Sequence, residues 1–274
     1  MCNVEQKFNK VYIGFKDRIY YSNSFWKAVI MKNVVISGGS SGVGLSIARD
    51  LSKNNRVILI GRNEHKLQLA KRELGKNVDY VVGDLSTFKG RQVVTDFILK
   101  EIDQVDILIH SAGIYPTSSQ DNIDNNLLSH YFLTVSLLNI LKGARVLVVT
   151  GNPQAIQMAP ICEQQLNGMM RAAWAVTHKT LLVQLLKDKL AMQKTTINSF
   201  FPGDVRSDLM PYTKSLGNTS VPVGKYLALD ENLNDVTGQF FDEKGNIVSL
   251  NQEKYNHETA INILSKYIPE INQS

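Results

Sequence analysis

Cysteine is scarce in this sequence of 274 residues, since Cys2 and Cys162 are the only two. Two thiols so far apart offer neither a metal-binding spacing nor a disulfide framework, which favours a reducing, cytoplasmic location. No apolar run approaches the roughly 20 residues that a membrane-spanning helix needs, so no transmembrane segment is predicted. Internal repeats and low-complexity tracts are also missing, which excludes solenoid and fibrous architectures.

A strong excess of one charge sign is missing too. The formal net charge is only +5, and lysine and arginine are spread along the chain instead of being gathered on one predicted helix. Nucleic acid is therefore not an expected partner. The weak positive charge is compatible with attraction of a small anionic group, such as a phosphorylated cofactor.

The first thirty residues differ from the rest because aromatic and basic side chains are concentrated there. The segment lacks the apolar core of a secretory signal. We expect it to pack as an arm on its own domain or on a second subunit, with a membrane-surface or partner-binding element as the alternative. The sequence is thus divided into an aromatic and basic extension, residues 1–30, and a folded domain, residues 31–274.

The folded part alternates short apolar runs with amphipathic helical stretches. The predicted strands are Val34–Ser37, Arg56–Ile60, Tyr80–Val82, Asp106–His110, Arg145–Thr150 and Thr196–Phe201. Repeated βαβ units with right-handed crossovers form a parallel sheet with helices on both faces. The prediction is a single α/β domain with a doubly wound sheet of the Rossmann type.

Glycines punctuate the junction between the first strand and the helix after it, at Gly38, Gly42 and Gly44. Such glycines permit a tight turn and a close backbone approach, and the helix N-terminus offers free N–H groups to a pyrophosphate. The pattern predicts a dinucleotide phosphate site. An ordinary strand-to-helix connection is the alternative, because a glycine-rich turn alone is a weak signal.

Arg62 follows the second strand, about twenty residues after the glycine turn, where a Rossmann fold meets the adenosine ribose. A carboxylate there would accept hydrogen bonds from a free 2′-hydroxyl, whereas a guanidinium suits a 2′-phosphate. Arg62 therefore favours NADP(H) over NAD(H). The alternative is a solvated cation at the end of a strand.

Several motifs together resemble the short-chain dehydrogenase/reductase family, and most of all its retinol-dehydrogenase-like members. They occur in the family's order from Met31 to near the C-terminus: Ser37–Gly44, Asp84–Ser86, His110–Gly113, Asn126–Thr134, Phe201–Leu209 and Val236–Phe241. The resemblance implies the strand order 3-2-1-4-5-6-7, counted from the first strand of the domain. It also implies a homodimer or homotetramer formed through the helices that contain Asn126 and Ala172.

The same resemblance assigns residues to the cofactor. The expected NADP(H)-binding set is Ser37, Gly38, Ser40, Ser41, Gly42, Val43, Gly44, Arg62, Asp84, Leu85, Ser111, Ala112, Gly113, Pro202, Gly203 and Ser207. Within it, Asp84 would face the adenine ring, and Ser207 would hold the nicotinamide carboxamide. No metal site is expected.

The family's catalytic serine, tyrosine and lysine are missing. Ungapped alignment places Gly151 at the serine, Ala172 at the tyrosine and Val176 at the lysine, and no Tyr-x-x-x-Lys pair occurs between Gly151 and Asn198. The alternative is a three-residue slip, which would place Ala175 at the tyrosine and Lys179 at the lysine but would rotate the apolar face of the helix. A phenol shuttles protons at neutral pH only when a nearby cation favours its ionised form. Asn126 remains at the family's structural and catalytic asparagine.

Other side chains are candidates for the lost chemistry. Tyr115, at the C-terminal edge of the sheet, is the first candidate for a replacement acid, against a plain packing tyrosine. Lys179 lies one helical turn beyond Val176, where the alternative is a surface lysine on an amphipathic helix. Thr150, Asn152, His110 and His178 are weaker candidates.

Three hypotheses follow from these residues. The first is an NADP(H)-dependent oxidoreductase that acts on a carbonyl or alcohol, or on an activated double bond, of a small-molecule substrate. The second is a non-catalytic NADP(H)-binding protein, a sensor or a partner subunit. The third is a lyase or isomerase on the same scaffold, because a fold does not fix a function.

Overall fold

The computed structural model describes residues 19–20, 29–210 and 212–273. The strands are β1 (Ile19–Tyr20), β2 (Val29–Ile30), β3 (Asn33–Ser37), β4 (Arg56–Gly61), β5 (Val78–Val82), β6 (Ile107–His110), β7 (Arg145–Val149), β8 (Thr196–Phe200), β9 (Phe240–Phe241) and β10 (Ile247–Val248). The α-helices are α1 (Gly42–Leu51), α2 (Glu64–Leu74), α3 (Phe88–Glu101), α4 (Ser119–Ile123), α5 (Ser129–Ser136), α6 (Pro153–Met158), α7 (Gly168–Ala191), α8 (Pro222–Leu229) and α9 (His257–Leu264).

One sheet of the described chain has the order β10-β9-β8-β7-β6-β3-β4-β5. Counted from β3, this is the predicted 3-2-1-4-5-6-7 order with one further strand at the edge. Strands β3 to β9 run parallel to one another, and β3 pairs with both β4 and β6. The topological switch point lies between β3 and β6, where ligands of doubly wound folds bind.

The edge strand β10 was not predicted, and it runs antiparallel to β9. Its cause is a tight turn between the two strands. Asp242 accepts hydrogen bonds from the N–H groups of Lys244 and Asn246, and Gly245 has a φ of 84°. An Asx-type turn with a left-handed glycine reverses the chain at once, so the sheet closes with a hairpin.

Two apolar cores cover the two faces of the sheet. Helices α1, α2 and α8 contribute Ile47, Leu67 and Leu227 to one core, which packs against Ile36 of β3. Helices α3, α5, α7 and α9 build the other, with large side chains such as Trp174 and Leu181 of α7. The predicted helices on both faces are confirmed.

The C-terminal part of the chain packs against α7. Trp174 meets the ring of Tyr267 edge-on, with 5.2 Å between ring centroids, and Leu264 of α9 lies in the same core. Part of the outer face of α7 is thereby covered by the chain itself.

The extension, residues 1–30, lies largely outside the described residues. Within it the structure gives only the short antiparallel pair of β1 and β2, in which Ile19 pairs with Ile30. None of the helices in the described part of the chain has the length and apolar character to cross a membrane.

Candidate active site

The glycine turn lies at the end of β3 and has the geometry of a phosphate cradle. Gly38 and Gly42 have φ values of 69° and 53°, which residues with a Cβ rarely adopt. A Cβ on Gly44 would stand closer than van der Waals contact to the carbonyl oxygen of Gly38. Ser41 precedes α1, and its side chain does not cap the helix. The first amides of α1 are thus left for an anion.

The passage after β6 is bound to this turn. Ser111 N–H donates to the Ser37 carbonyl over 3.1 Å, and Ala112 N–H donates to Ser37 Oγ over 3.2 Å. A Cβ on Gly38 would come within 2.7 Å of the Ala112 backbone. The two predicted cofactor-binding segments therefore lie side by side at the switch point.

Arg62 and Asp84 line the cavity at the C-terminal ends of β4 and β5. Arg62 follows β4 directly and is exposed, and its guanidinium has no hydrogen-bond or ion-pair partner among the described residues. Asp84 Oδ1 accepts from both Ser86 N–H and Ser86 Oγ, which fixes the carboxylate and leaves its second oxygen. Leu85 is buried beside them. An unpaired guanidinium and a carboxylate oxygen are thus both available to a nucleotide.

The segment after β8 lies over the glycine turn. A Cβ on Gly42 would come within 2.9 Å of Ser207 Cβ. Ser207 Oγ donates to Thr213 Oγ1 over 3.0 Å, so its proton is already used in this structure. Lys66 of α2 and Asp208 form an ion pair of 2.8 Å that joins this segment to the opposite side of the cavity. The carboxamide contact expected of Ser207 would require its hydroxyl to change partner.

Asn126 lies in a π-helical turn, Asp124–Leu128, between α4 and α5. Its Oδ1 accepts from Ile114 N–H over 3.2 Å, and its Nδ2 donates to the Ile114 carbonyl over 3.1 Å and to Asn122 Oδ1 over 2.8 Å. The side chain is therefore fully used in holding the chain after β6 against the helix. This arrangement makes Asn126 a structural clamp.

Lys179 points into the cavity, in contrast to a surface lysine. A Cβ on Gly113 would lie 3.0 Å from Asn126 Oδ1 and 3.6 Å from Lys179 Nζ, so both groups face the same short stretch of backbone. The ammonium has no hydrogen bond or ion pair with any described residue. Burial lowers the pKa of Lys179 to about 8. An amine with this pKa exchanges a proton readily near neutral pH.

One cavity of about 920 Å³ joins these groups, and its lining includes Gly38, Arg62, Asp84, Ser207 and Lys179. Its volume is that of a site for a large ligand. A dinucleotide fits the residues that are present, because the cradle at Gly44 tolerates no side chain and the amides of α1 face it. The described residues contain no group of three or more His, Cys, Asp and Glu side chains that could hold a metal ion.

The short chain dehydrogenase family model matches residues 32–215. The chain belongs to the short-chain dehydrogenase family. Human retinol dehydrogenase 12 is 29% identical to it over 246 residues, which cover 77% of this chain and 78% of the relative. Human retinol dehydrogenase 13 is 27% identical over 251 residues, covering 77% and 76%. The family is one of oxidoreductases.

Solved structures show the same fold. A short chain dehydrogenase from Shigella flexneri superposes with a TM-score of 0.65 at 20% identity, covering 80% of this chain and 94% of the other. A variant of actinorhodin polyketide ketoreductase, solved with NADPH, gives a TM-score of 0.62 at 18% identity, covering 77% and 95%.

Gly151, which aligns with the family's serine, has no room for a side chain. A Cβ on Gly151 would come within 2.6 Å of Val176 Cγ2, so the Val176 side chain fills the space that a serine would need. Asn152, a weaker candidate, uses its Oδ1 to cap α6 by accepting from Ala155 N–H over 2.7 Å. Thr150 lines the cavity, but its Oγ1 is buried. The structure offers no serine-like hydroxyl at this point.

Tyr115 borders the cavity nearer its mouth. Its ring is 43% exposed, and its hydroxyl packs against Gly168, where a Cβ would come within 2.5 Å of the phenolic oxygen. Gly168 begins α7 and Lys179 lies eleven residues further on, so their Cα atoms are about 16 Å apart along the helix. Tyr115 and Lys179 therefore do not form the close pair that the family's tyrosine and lysine form.

Two features of this site were not predicted from the sequence. The π-helical turn at Asn126 has no periodic signal, and the packing of His110 of β6 against His130 of α5 joins residues far apart in the chain. The one sequence feature that pointed to the histidine pair was His110, a polar residue at the end of an otherwise apolar strand.

Proposed function

We propose that this protein is an NADP(H)-dependent oxidoreductase that interconverts a carbonyl and an alcohol, or reduces an activated double bond, with Lys179 in place of the family's tyrosine as the proton donor. The observation that carries this proposal is the unpaired ammonium of Lys179 inside the cavity that contains the glycine cradle. A partly buried charge that no described residue compensates, beside the cofactor passage, marks a candidate reactive group.

The preference for NADP(H) is supported by the adenosine end of the cavity. Arg62 has no partner among the residues that the structure describes, and Asn63 directly after it is neutral. A 2′-phosphate would gain charge-assisted hydrogen bonds from Arg62, while the free 2′-hydroxyl of NAD(H) finds no carboxylate at this strand end. Asp84 and Leu85 would border the adenine ring.

The protein's residues position the reaction and move the proton. NADPH, when bound, would supply a hydride to the substrate carbon. The Lys179 ammonium donates a proton to the substrate oxygen as negative charge develops there. Lys179 then remains as the neutral amine, and water reprotonates it. Asn126 holds Gly113 and Ile114 in place, so the backbone that borders the reacting groups keeps its position relative to Lys179. Orientation of bound reactants supplies much of the rate.

Tyr115 stays a second candidate for the proton donor. Its exposed phenol packs against Gly168 at the start of α7, about 16 Å along the helix from Lys179. The wall of a substrate channel is the role that its position supports best.

Apolar side chains dominate the substrate end of the cavity. They are Ile114, Ala155, Ala159, Met169, Ala172, Ala175, Val176, Leu209 and Met210. Such walls suit an apolar aldehyde, ketone or enone. The two human relatives are named for retinol, and the apolar lining is consistent with a substrate of that character.

The test has two steps. Calorimetry with NADPH and NADH measures binding and the preference between them, and the decay of NADPH absorbance is then followed with a panel of apolar aldehydes, ketones and enones. We expect tighter binding of NADPH and turnover of some of the panel. Tight binding without turnover would favour the non-catalytic hypothesis, and absence of binding would overturn the proposal.

Association of two copies and a cytoplasmic location remain predictions. Because Tyr267 and α9 cover part of α7, a dimer that used this face would have to include the C-terminal segment in its interface.

A further inference from the structure

Two buried histidines lie beneath the active site. His110 ends β6 and His130 lies on α5, and each side chain is only 1% exposed. Their rings stack with 4.9 Å between centroids and an angle of 30°. The proposed chemistry uses neither ring.

Hydrogen bonds fix the tautomer of His110. Thr134 Oγ1 donates its proton to the His130 carbonyl over 2.9 Å, so toward His110 Nε2, 2.8 Å away, it is an acceptor. His110 therefore carries its proton on Nε2. Its Nδ1 is then an unprotonated hydrogen-bond acceptor, buried with no donor in the described chain to pair with it.

The same argument fixes the tautomer of His130. Ser129 Oγ donates to the Asn125 carbonyl over 2.6 Å and so accepts from His130 Nδ1 over 2.9 Å. This leaves His130 Nε2 as a second bare, buried acceptor. Because burial lowers the pKa of His110 to about 3, and that of His130 well below its usual range, both rings are neutral at physiological pH.

Two hydroxyl groups extend this polar layer across the sheet. Thr150, just beyond β7, and Ser199 of β8 also have buried oxygens without partners in the described chain. His110 and Ser199 both stand level with Val148 in the sheet, and Thr150 lies two residues beyond it. Since residues in register on parallel strands point to the same face, these side chains lie under the same helices.

Lys179 has the hydrogen-bond donors that this polar layer lacks. Its Nζ would lie 3.6 Å from a Cβ on Gly113, three residues after His110, and Asn126, which faces the same backbone, precedes His130 by one helical turn. In keeping with this placement, the positive charge of Lys179 adds to burial in lowering the pKa of His110 and of His130. Its own N–H groups are unpaired, and burial is the one cause of its lowered pKa, with no carboxylate of the described chain opposing it. Unpaired donors thus adjoin unpaired acceptors, with no direct hydrogen bond between them.

We propose that His110 and His130 bind internal water that accepts hydrogen bonds from Lys179 Nζ and donates to His110 Nδ1 and His130 Nε2. Buried water commonly occupies such sites, where two to four polar partners are otherwise unsatisfied. The water hydrates the ammonium within the protein and so keeps Lys179 protonated near neutral pH. The two histidines are positioning residues, and this role rests on the function proposed above for Lys179.

The test is the titration of Lys179, measured by NMR from the side-chain ¹³Cε shift in protein labelled with ¹³C-lysine, with Lys179→Met to assign the signal. His110→Phe and His130→Phe remove an acceptor without changing charge at neutral pH. Each should lower the pKa of Lys179 by about one unit, a tenfold loss of proton affinity. This readout needs neither cofactor nor substrate, so it is independent of whether the protein turns over any carbonyl.

His178→Phe is the matched control. His178 precedes Lys179 on α7 and is equally buried with an Nε2 that has no partner in the described chain, but it projects about 100° around the helix from Lys179 and stacks on Trp174 at 3.9 Å. Its substitution should leave the Lys179 titration unchanged. Equal shifts in all three variants, or no shift in the first two, would overturn the proposal.

A crystal structure of the unaltered protein gives a second measurement if the phenylalanine variants fail to fold. We expect ordered water within hydrogen-bond distance of both His110 Nδ1 and His130 Nε2. An empty or protein-filled space at these nitrogens would overturn the inference, even if Lys179→Met abolished turnover.

Discussion

Acidification to pH 5 is expected to destabilise this protein strongly, because three of its five histidines are buried and neutral. Burial lowers the pKa of His110 and of His178 from 6.5 to about 3, and that of His130 well below 6.5. Below pH 6.5 the unfolded chain takes up protons that the folded chain refuses. Stability is therefore fully present above pH 6.5 and is lost as the pH falls toward 3.

The size of the effect follows from the same values. Each buried histidine lowers the free energy of unfolding by about 1.4 kcal/mol per pH unit of acidification, or by about 2 kcal/mol between pH 6.5 and pH 5. Three of them together give about 6 kcal/mol, which is comparable with a typical total stability of about 5–15 kcal/mol. Urea unfolding at pH 7 and at pH 5 measures the difference directly.

The variant His178→Phe separates this cause from general acid sensitivity. It keeps an aromatic ring beside Trp174 and removes one of the three titrations, so the loss of stability on acidification should shrink by about a third. Equal unfolding free energies at the two pH values in the wild type would refute the reasoning, and so would an unchanged pH dependence in the variant.

Three further predictions concern the nucleotide site and the replaced triad. Gly44→Ala should abolish NADPH binding in calorimetry, because its methyl group meets a carbonyl of the glycine turn, while Gly217→Ala, which has open space around it, should bind normally. Arg62→Glu should weaken NADPH binding by about 10- to 100-fold while changing NADH binding far less, since a hydrogen bond to a charged group contributes about 1.5–3 kcal/mol; equal losses would contradict the 2′-phosphate role. Gly151→Ser should destabilise the fold by about 1–3 kcal/mol through its clash with Val176. Adding Val176→Ala should recover part of that loss in urea unfolding, and simple additivity would argue against the contact.

Local pattern predicted much of this molecule. The apolar runs of β3, β4 and β6 and the glycines after β3 specify strands and a tight turn through short-range sterics, so their places in the fold follow from sequence. The hairpin of β9 and β10 was missed because β10 has only two residues, and its pairing depends on the turn before it.

The site itself was less predictable, because its chemistry depends on which side chains meet. Lys179 has the spacing of a surface lysine on an amphipathic helix, and only the packing of α7 against the strand ends brings it into the cavity. His110 and His130 are twenty residues apart, and no local signal joins them. The packing of Val176 against Gly151 is likewise a contact between a strand end and a helix that is distant in sequence.

The most direct test of the central claim compares NADPH oxidation by wild type and Lys179→Met, with Lys189→Met as control, since Lys189 is an exposed lysine on the same helix. We expect the wild-type rate to fall as the pH rises through about 8, where the ammonium loses its proton. Lys179→Met should bind NADPH but turn over about 10²- to 10⁴-fold more slowly, while Lys189→Met should be unaffected. A Lys179→Met enzyme with wild-type turnover and an unchanged pH profile would contradict this claim.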